Sequence, residues 1–415
     1  MLSRRAILAS AALLPAIAQA RSPTPIVPPA PASDDDFWRE IQGAFTLDRT
    51  IVNLNNGGCS PSPRVVHEAL KRYLDISNQA PVHYMWSTLE PQIESVRREL
   101  AKEAGCDPEE LAITRNSSEA LQIAQLGIDL RAGDEVVTTD QDYPRMSDTW
   151  DQRAAREGIV VKRVSFPVPL TDPAALIGAL EAAVTPRTRV IHVSHVVFLS
   201  GQVLPVKQVC AWARARGIVT IVDGAHAFAH FPYRIDDIGC DYYGVSLHKW
   251  LMAPVGTGFL YVRRERIAGH WGLQPTGIAR KADIRKFEEI GTHPAAMHDA
   301  IAEALVFHRG IGAARKHARL YRLRRYWSDA LAQDPRVHLL TPSDPAVSGA
   351  IGVFAVDGLE PAAITAALWE RWRILATPIV HTAVKGVRVT PSVYTTFPEL
   401  DTFVAAVQKL LAELK

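Results

Sequence analysis

Two stretches of this sequence end in residues whose types, brought together, imply covalent chemistry. Ile218 to Val222 is a β-branched run closed by Asp223-Gly-Ala-His226, and Asp241 to Trp250 reads as a short buried strand running into Ser246, His248 and Lys249. A carboxylate and an ammonium at the ends of neighbouring buried strands are costly to desolvate unless a ligand shares them. Pyridoxal phosphate is such a ligand. A lysine takes its aldehyde as a Schiff base, and an aspartate pairs with the pyridine nitrogen so that the ring can accept electrons. The plainer alternative is a structural Asp–Lys ion pair beside an ordinary strand-end histidine.

Other positions suit the same ligand. In Ile113-Thr-Arg-Asn-Ser-Ser-Glu119 two serines precede a helical run from Ala120 to Gly127, and free N–H groups at a helix N-terminus make a natural seat for a phosphate. Ser117 or Ser118 could equally be a simple N-cap. Ile51 to Gly58 reads as a strand end followed by a glycine turn, where the backbone can come close to a ligand, with Asn55 a candidate substrate-binding residue. Asn78 to Trp86, with His83 and Tyr84, reads as a polar-aromatic loop, either a core plug or a substrate wall.

The elements that must position these groups alternate regularly. Short β-branched runs lie at Glu135 to Thr139, Val160 to Ser165, Arg189 to Ser194, Ile218 to Asp223 and Tyr243 to Ser246. Helical stretches separate them, near Ser147 to Glu157, Asp172 to Val184 and Pro205 to Arg216. Nearly continuous apolar strands between helices imply an α/β fold with a mainly parallel sheet covered on both faces. Ligands of such sheets bind at the carboxyl ends of the strands, where Tyr143, His195, Asp223, His226 and Lys249 fall. Gly256 to Tyr261 is a further strand. One long helix is expected from about His298 through Arg325, its basic stretch a solvated face, then strands near Ala350 to Val356 and Gly386 to Thr390 and a helix from Glu399. Ser62-Pro63 reads as the cap and first turn of a helix to about Ile76. The expected division is a large domain over 78–297 and a smaller α+β domain built from 36–77 and 298–415.

The N-terminus reads as a targeting segment. Arg4-Arg5 precedes the apolar run Ala6 to Ile17, and Ala18-Gln-Ala20 is a small-x-small cleavage site, which resembles a twin-arginine signal over 1–20. Periplasmic or secreted location follows, with no membrane attachment once the signal is removed. A proline-rich linker is expected over 21–35. A net charge of +2 without a basic block gives nucleic acid no electrostatic footprint. Cys59, Cys106, Cys210 and Cys240 have no C-x-x-C spacing, which argues against a zinc or redox pair. The histidines at 192, 195, 226, 230 and 248 lack the carboxylate spacing of a metal site, so none is expected.

With these pieces in order, the sequence resembles class V aminotransferases, the fold type I pyridoxal-phosphate enzymes that include isopenicillin N epimerase-like proteins and cysteine desulfurases. The resemblance runs from Asn53 to Phe403. Five motifs carry it: Thr114-Arg-Asn-Ser-Ser-Glu119, Asp223-Gly-Ala-His226, Ser246-Leu-His-Lys249, Glu289-Ile-Gly-Thr292 and Arg388-Val-Thr-Pro-Ser392. It implies Lys249 as the Schiff-base lysine, Asp223 as the pyridinium partner, and Ser117, Ser118, Ser246 and His248 as phosphate contacts. It implies Tyr143 as the ring stacked on the pyridine, and His195 and His226 as polar neighbours of the phenolic oxygen and ring edge. Thr292 would reach the phosphate of a neighbouring subunit, so a homodimer with shared active sites is implied, and Arg388 would take the α-carboxylate of an amino-acid substrate.

One departure bears on the reaction. The desulfurases use a mobile cysteine in the C-terminal region, and here no cysteine follows Cys240, so persulfide chemistry at that position is excluded. What remains is epimerisation or transamination at the α-carbon, with carbon–sulfur cleavage as the alternative. For epimerisation a second proton donor is needed, with His83, Tyr84 and Tyr143 as candidates. A non-catalytic secreted binding protein that keeps the fold is the reading from outside enzymology.

Overall fold

The computed structural model describes residues Asp34–Glu413. The signal over 1–20 and all of the linker except Asp34 and Asp35 lie outside the described residues. Those two aspartates already belong to a helix, Asp34–Gly43, whose three first-turn aspartates face the positive end of its dipole.

Thirteen strands follow: β1 (Val52–Asn53), β2 (Leu111–Thr114), β3 (Glu135–Thr139), β4 (Val160–Val164), β5 (Thr188–Ser194), β6 (Val219–Asp223), β7 (Tyr242–Ser246), β8 (Gly258–Val262), β9 (Val337–Leu339), β10 (Gly352–Val356), β11 (Ile374–Leu375), β12 (Thr377–Val380) and β13 (Lys385–Val389). Seven form one sheet in the order β2-β8-β7-β6-β5-β3-β4, and four form an antiparallel sheet in the order β12-β13-β10-β9. In the larger sheet β8 runs antiparallel to both neighbours, and every other pairing is parallel. This is the mainly parallel sheet expected from the strand–helix alternation, and it agrees with the fold type I architecture that the resemblance implies.

Two glycines bring a helix down onto this sheet where the chemistry lies. A Cβ on Gly244 would stand 2.5 Å from Leu121, and one on Gly258 would stand 2.6 Å from the Asn116 backbone. Both gaps are too short for a side chain, so the helix Ser117–Gly127 seats directly on β7 and β8 with its N-terminus over Ser246. Asn116 caps that helix by accepting from Glu119 N–H at 2.9 Å, and the Glu119 carboxylate accepts in return from Arg115 N–H at 2.7 Å. Such a cap is worth about 1 kcal/mol. Its apolar face joins Trp150, Val190, Ile221 and Leu260 in one core cluster, where each buried Leu or Ile contributes roughly 1.5–3 kcal/mol. A second cluster around Trp327, Phe354, Val387 and Phe403 underlies the four-stranded sheet.

Several expectations need correction. Asn78 to Trp86 is not a loop: the helix Arg64–Gln79 is followed by helical Pro81–Tyr84 and a π-turn, Met85–Leu89. Pro63 precedes the first of these helices without a side-chain cap, because the Ser62 hydroxyl donates to Ala253 O at 3.2 Å instead. The long helix from His298 is broken into Ile301–Ile311 and Ala313–Leu331 at Gly312, whose φ of 85° ends the first one. Its basic stretch is not simply a solvated face. Lys316, Arg319 and Arg324 are buried, and they donate to Trp250 O, to Thr395 O and to the Ser348 hydroxyl, which offsets the cost of burying them. All four cysteines are free thiols.

Candidate active site

A cavity of about 430 Å3 opens at the carboxyl ends of β5, β6 and β7 and is closed on the far side by β12 and β13. Ser117, Ser118, Tyr143, Asp223, His226, Ser246, His248, Lys249 and Arg388 all line it. Sequence distance between these residues is large: those from Ser117 to Lys249 meet because they sit at or just past strand ends of the seven-stranded sheet, while Arg388 comes from within β13 of the four-stranded sheet.

At one end the helix Ser117–Gly127 points its N-terminus inward. Ser246 Oγ accepts from Ser117 N–H at 3.0 Å and donates to Ser117 Oγ at 2.8 Å, tying β7 to the helix start. His248 lies beside this cradle, its Nδ1 buried without a partner. Burial, and then the charge of Lys249, lowers its pKa to about 4, so the imidazole is neutral.

In the middle, Lys249 Nζ lies 3.1 Å from His226 Nε2. Burial lowers the lysine to about 8, opposed by the charge of Asp223. Burial likewise raises Asp223 to about 6, opposed by the Ala225 N–H bond at 2.9 Å and by Lys249. No ion pair joins the two among the described residues, so the structural salt bridge that the sequence also allowed is not formed. His226 is pushed well below the ordinary histidine range by burial and by Lys249, and its Nδ1 is buried and unpartnered. Tyr143, 37% exposed, stands edge-on to Phe198 with centroids 5.3 Å apart. Asp142 fixes its backbone by accepting from Thr138 Oγ1, Thr139 N–H and Ser194 N–H at 2.6–2.9 Å.

At the other end Arg388 is buried without a carboxylate partner. Its Nη1 donates to Phe198 O at 2.9 Å and its Nη2 to Asn55 Oδ1 at 3.3 Å, while Nε has no partner. Burial depresses it to about 10. A planar cation held dry and short of acceptors is a site for a carboxylate.

Not every expected residue joins this cavity. His195 turns away: its Nδ1 bonds the Tyr243 hydroxyl at 2.7 Å and its ring packs on Phe231 and Tyr233, because that aromatic cluster fills the space behind β6. His83 and Thr292 are exposed and do not line the cavity within one chain. Asn55 contributes through Arg388. The glycine turn read from the sequence brings Gly57 and Gly58 to the cavity wall, whereas sequence reasoning missed Val196, Phe198, Thr377 and Ile379. Their apolar or small side chains carry no chemical signal, and β12 is a four-residue strand interrupted by Pro378. A further cavity of about 300 Å3 lies beside Arg97 and Glu288, but its charges are paired with one another, Arg97 with Glu94 and Glu288, and Arg285 with Glu94. No group of three or more His, Cys, Asp or Glu among the described residues is arranged to hold a metal.

The family model for aminotransferase class-V matches residues 52–402. The chain belongs to the class V aminotransferase family. Among its relatives, this class V chain is 32% identical over 393 residues to the isopenicillin N epimerase of Streptomyces clavuligerus, covering 91% of this chain and 99% of that protein. It is 31% identical to the isopenicillin N epimerase of Amycolatopsis lactamdurans, covering 90% and 98%. In fold it resembles the apo cysteine desulfurase of Thermococcus onnurineus NA1, with TM-score 0.80 and 22% identity over 91% of this chain and 98% of that one. It also resembles the cystine C–S lyase C-DES, with TM-score 0.77 and 26% identity over 86% and 97%. Pyridoxal 5′-phosphate is the cofactor of the class V family. The donor set of the cavity fits it: a helix N-terminus with serine hydroxyls, a carboxylate with a free oxygen, a lysine of depressed pKa, and imidazole nitrogens buried without partners.

Proposed function

We propose that this chain exchanges a proton at the α-carbon of an amino acid or amino-acid-derived metabolite, as an epimerase or an aminotransferase. The observation that carries the reading is Arg388, a buried guanidinium without a carboxylate partner in the same cavity as Lys249. Pyridoxal phosphate supplies an electron sink for the charge left at the α-carbon. Ser117, Ser118, Ser246 and His248 would hold its phosphate, Lys249 would take its aldehyde, Asp223 would pair with its ring nitrogen, and Tyr143 would pack against its ring.

Arg388, braced by Asn55, holds the substrate carboxylate and so fixes which bond at the α-carbon stands over Lys249. As a free amine Lys249 would be a base poised near neutral pH, since burial lowers its proton affinity. Neutral His226 accepts a hydrogen bond from its Nζ and aims it. Of His83, Tyr84 and Tyr143, only Tyr143 lines the cavity, and its phenol is the donor assigned to the opposite face. The epimerase relatives favour inversion over amino transfer. Carbon–sulfur cleavage is the second reading, favoured by the similarity to C-DES.

The same reading includes export by the twin-arginine route, division into a large unit over 78–297 and a smaller one from 36–77 with 298–415, and a homodimer in which Thr292 serves the neighbouring site. The deciding experiment incubates loaded enzyme in deuterated water with a panel of L- and D-amino acids, with and without a 2-oxo acid. Deuterium at the α-carbon with inversion identifies an epimerase, and a new amino acid made from the 2-oxo acid identifies an aminotransferase. Release of sulfide or a persulfide identifies a lyase. Binding without deuterium uptake would reduce the protein to a binding module.

A further inference from the structure

Thr377 lies directly opposite Arg388 in the antiparallel pairing of β12 with β13. Residues opposite one another in such a pair project from the same face with Cβ atoms about 4.5–5.5 Å apart. Both line the cavity. Each carries a buried polar atom that no group in the protein satisfies: Oγ1 of Thr377 and Nε of Arg388. A buried hydroxyl left without a partner costs its full desolvation penalty, more than a hydrogen bond contributes net, and a side-by-side pair of such atoms at a cavity wall needs a shared explanation. Valine would fill the same space without that cost. The rest of the nearby wall, Val196, Phe198, Pro378 and Ile379, offers no hydrogen-bonding side chain.

We propose that Thr377 is a substrate-binding residue whose hydroxyl donates to one oxygen of the α-carboxylate while Arg388 donates to the other. A turn about the single χ1 bond of threonine presents the hydroxyl to the cavity, and the incoming carboxylate satisfies both orphaned donors together. Two donors from adjacent strands fix the carboxylate plane as well as its position. This orients the α C–H bond toward Lys249, which a single arginine on a flexible stem does less well. The inference rests on the reading of Arg388 as the carboxylate site.

The test uses the cofactor-loaded enzyme and follows binding by the absorption spectrum of the bound cofactor. The probes are whichever common L-amino acid binds the parent most tightly and the amine left when its carboxyl group is removed. Thr377→Val is expected to weaken the amino acid roughly 10- to 100-fold and to leave the amine unchanged, and Thr377→Ser should return amino-acid affinity close to the parent. If Thr377→Val binds the amino acid as the parent does, or loses amino acid and amine equally, Thr377 is structural and the proposal is wrong. Arg388→Ala runs in parallel. Tight amino-acid binding by that variant, or a parent that binds no amino acid at all, would instead remove the carboxylate reading on which the proposal stands.

Discussion

Lys249 Nζ and His226 Nε2, 23 residues apart in sequence, meet at 3.1 Å in a pocket where burial keeps the imidazole neutral. The histidine is therefore an acceptor for the lysine and not a second positive charge beside it. Covalent capture of the cofactor needs the neutral amine, so borohydride-fixed attachment at Lys249 should rise with pH to a midpoint near 8, below the ordinary lysine value of about 10.4. Asp223 holds that midpoint up, and Asp223→Asn should lower it. Peptide mass spectrometry after reduction at a series of pH values reads both, and a parent labelled elsewhere, or not at all, refutes the assignment of Lys249.

Arg388→Ala should keep covalent attachment of the cofactor, because the phosphate and ring contacts lie on other strands. Amino-acid affinity should fall by on the order of 2–5 kcal/mol, the range for breaking a buried charge-assisted pair. Arg388→Lys should recover part of the loss, since a point charge lacks the fork. Spectral titration checks all three.

Tyr143→Phe separates the two faces of the α-carbon. The ring that covers the cofactor is kept and the phenolic proton is lost. Deuterium wash-in at the α-carbon should persist within a few fold, while inversion falls by about 100-fold, the usual scale for removing one general acid. Equal loss of both rates would show that the hydroxyl is not the opposite-face donor.

Asp299 offers a pH-dependent stability test away from the chemistry. Both its carboxylate oxygens are buried without partners, and burial together with neighbouring Glu303 raises it to about 7. In the unfolded chain this group ionises near 3.8, so the folded state binds the extra proton between those two values. Stability from this group is full below about pH 4 and lost as pH rises through 7. Asp299→Asn should therefore leave the melting temperature at pH 4 nearly unchanged and raise it at pH 8, with a ceiling of about 4 kcal/mol. Thermal unfolding at the two pH values reads the difference.

The main sheet was legible because its strands are β-branched runs separated by helices, and period and composition agree at β3 to β7. The cofactor end of the site was legible for the same reason: Asp223, Ser246 and Lys249 follow such runs directly. The helix in place of the expected loop at 78–86 was missed because Pro81 and the aromatic cluster read as breakers, while a first-turn proline starts a new helix there. His195 lies off the cavity, which the sequence could not show because a strand end does not fix a rotamer. The bond to Tyr243, whose position depends on aromatic packing behind the sheet, decides where that ring points. Thr377 was invisible because its importance lies in the register with Arg388, a relation between two strands that neither sequence segment carries alone.

The bond from Arg388 Nη2 to Asn55 Oδ1 spans 333 residues of chain, and beside it β1 pairs with β11 across a similar distance. The cofactor cradle draws instead on residues from Ser117 to Lys249. The substrate seat therefore depends on both ends of the chain being in place, so a truncation near either terminus removes Asn55 or Arg388 while leaving every residue from Ser117 to Lys249 in the sequence.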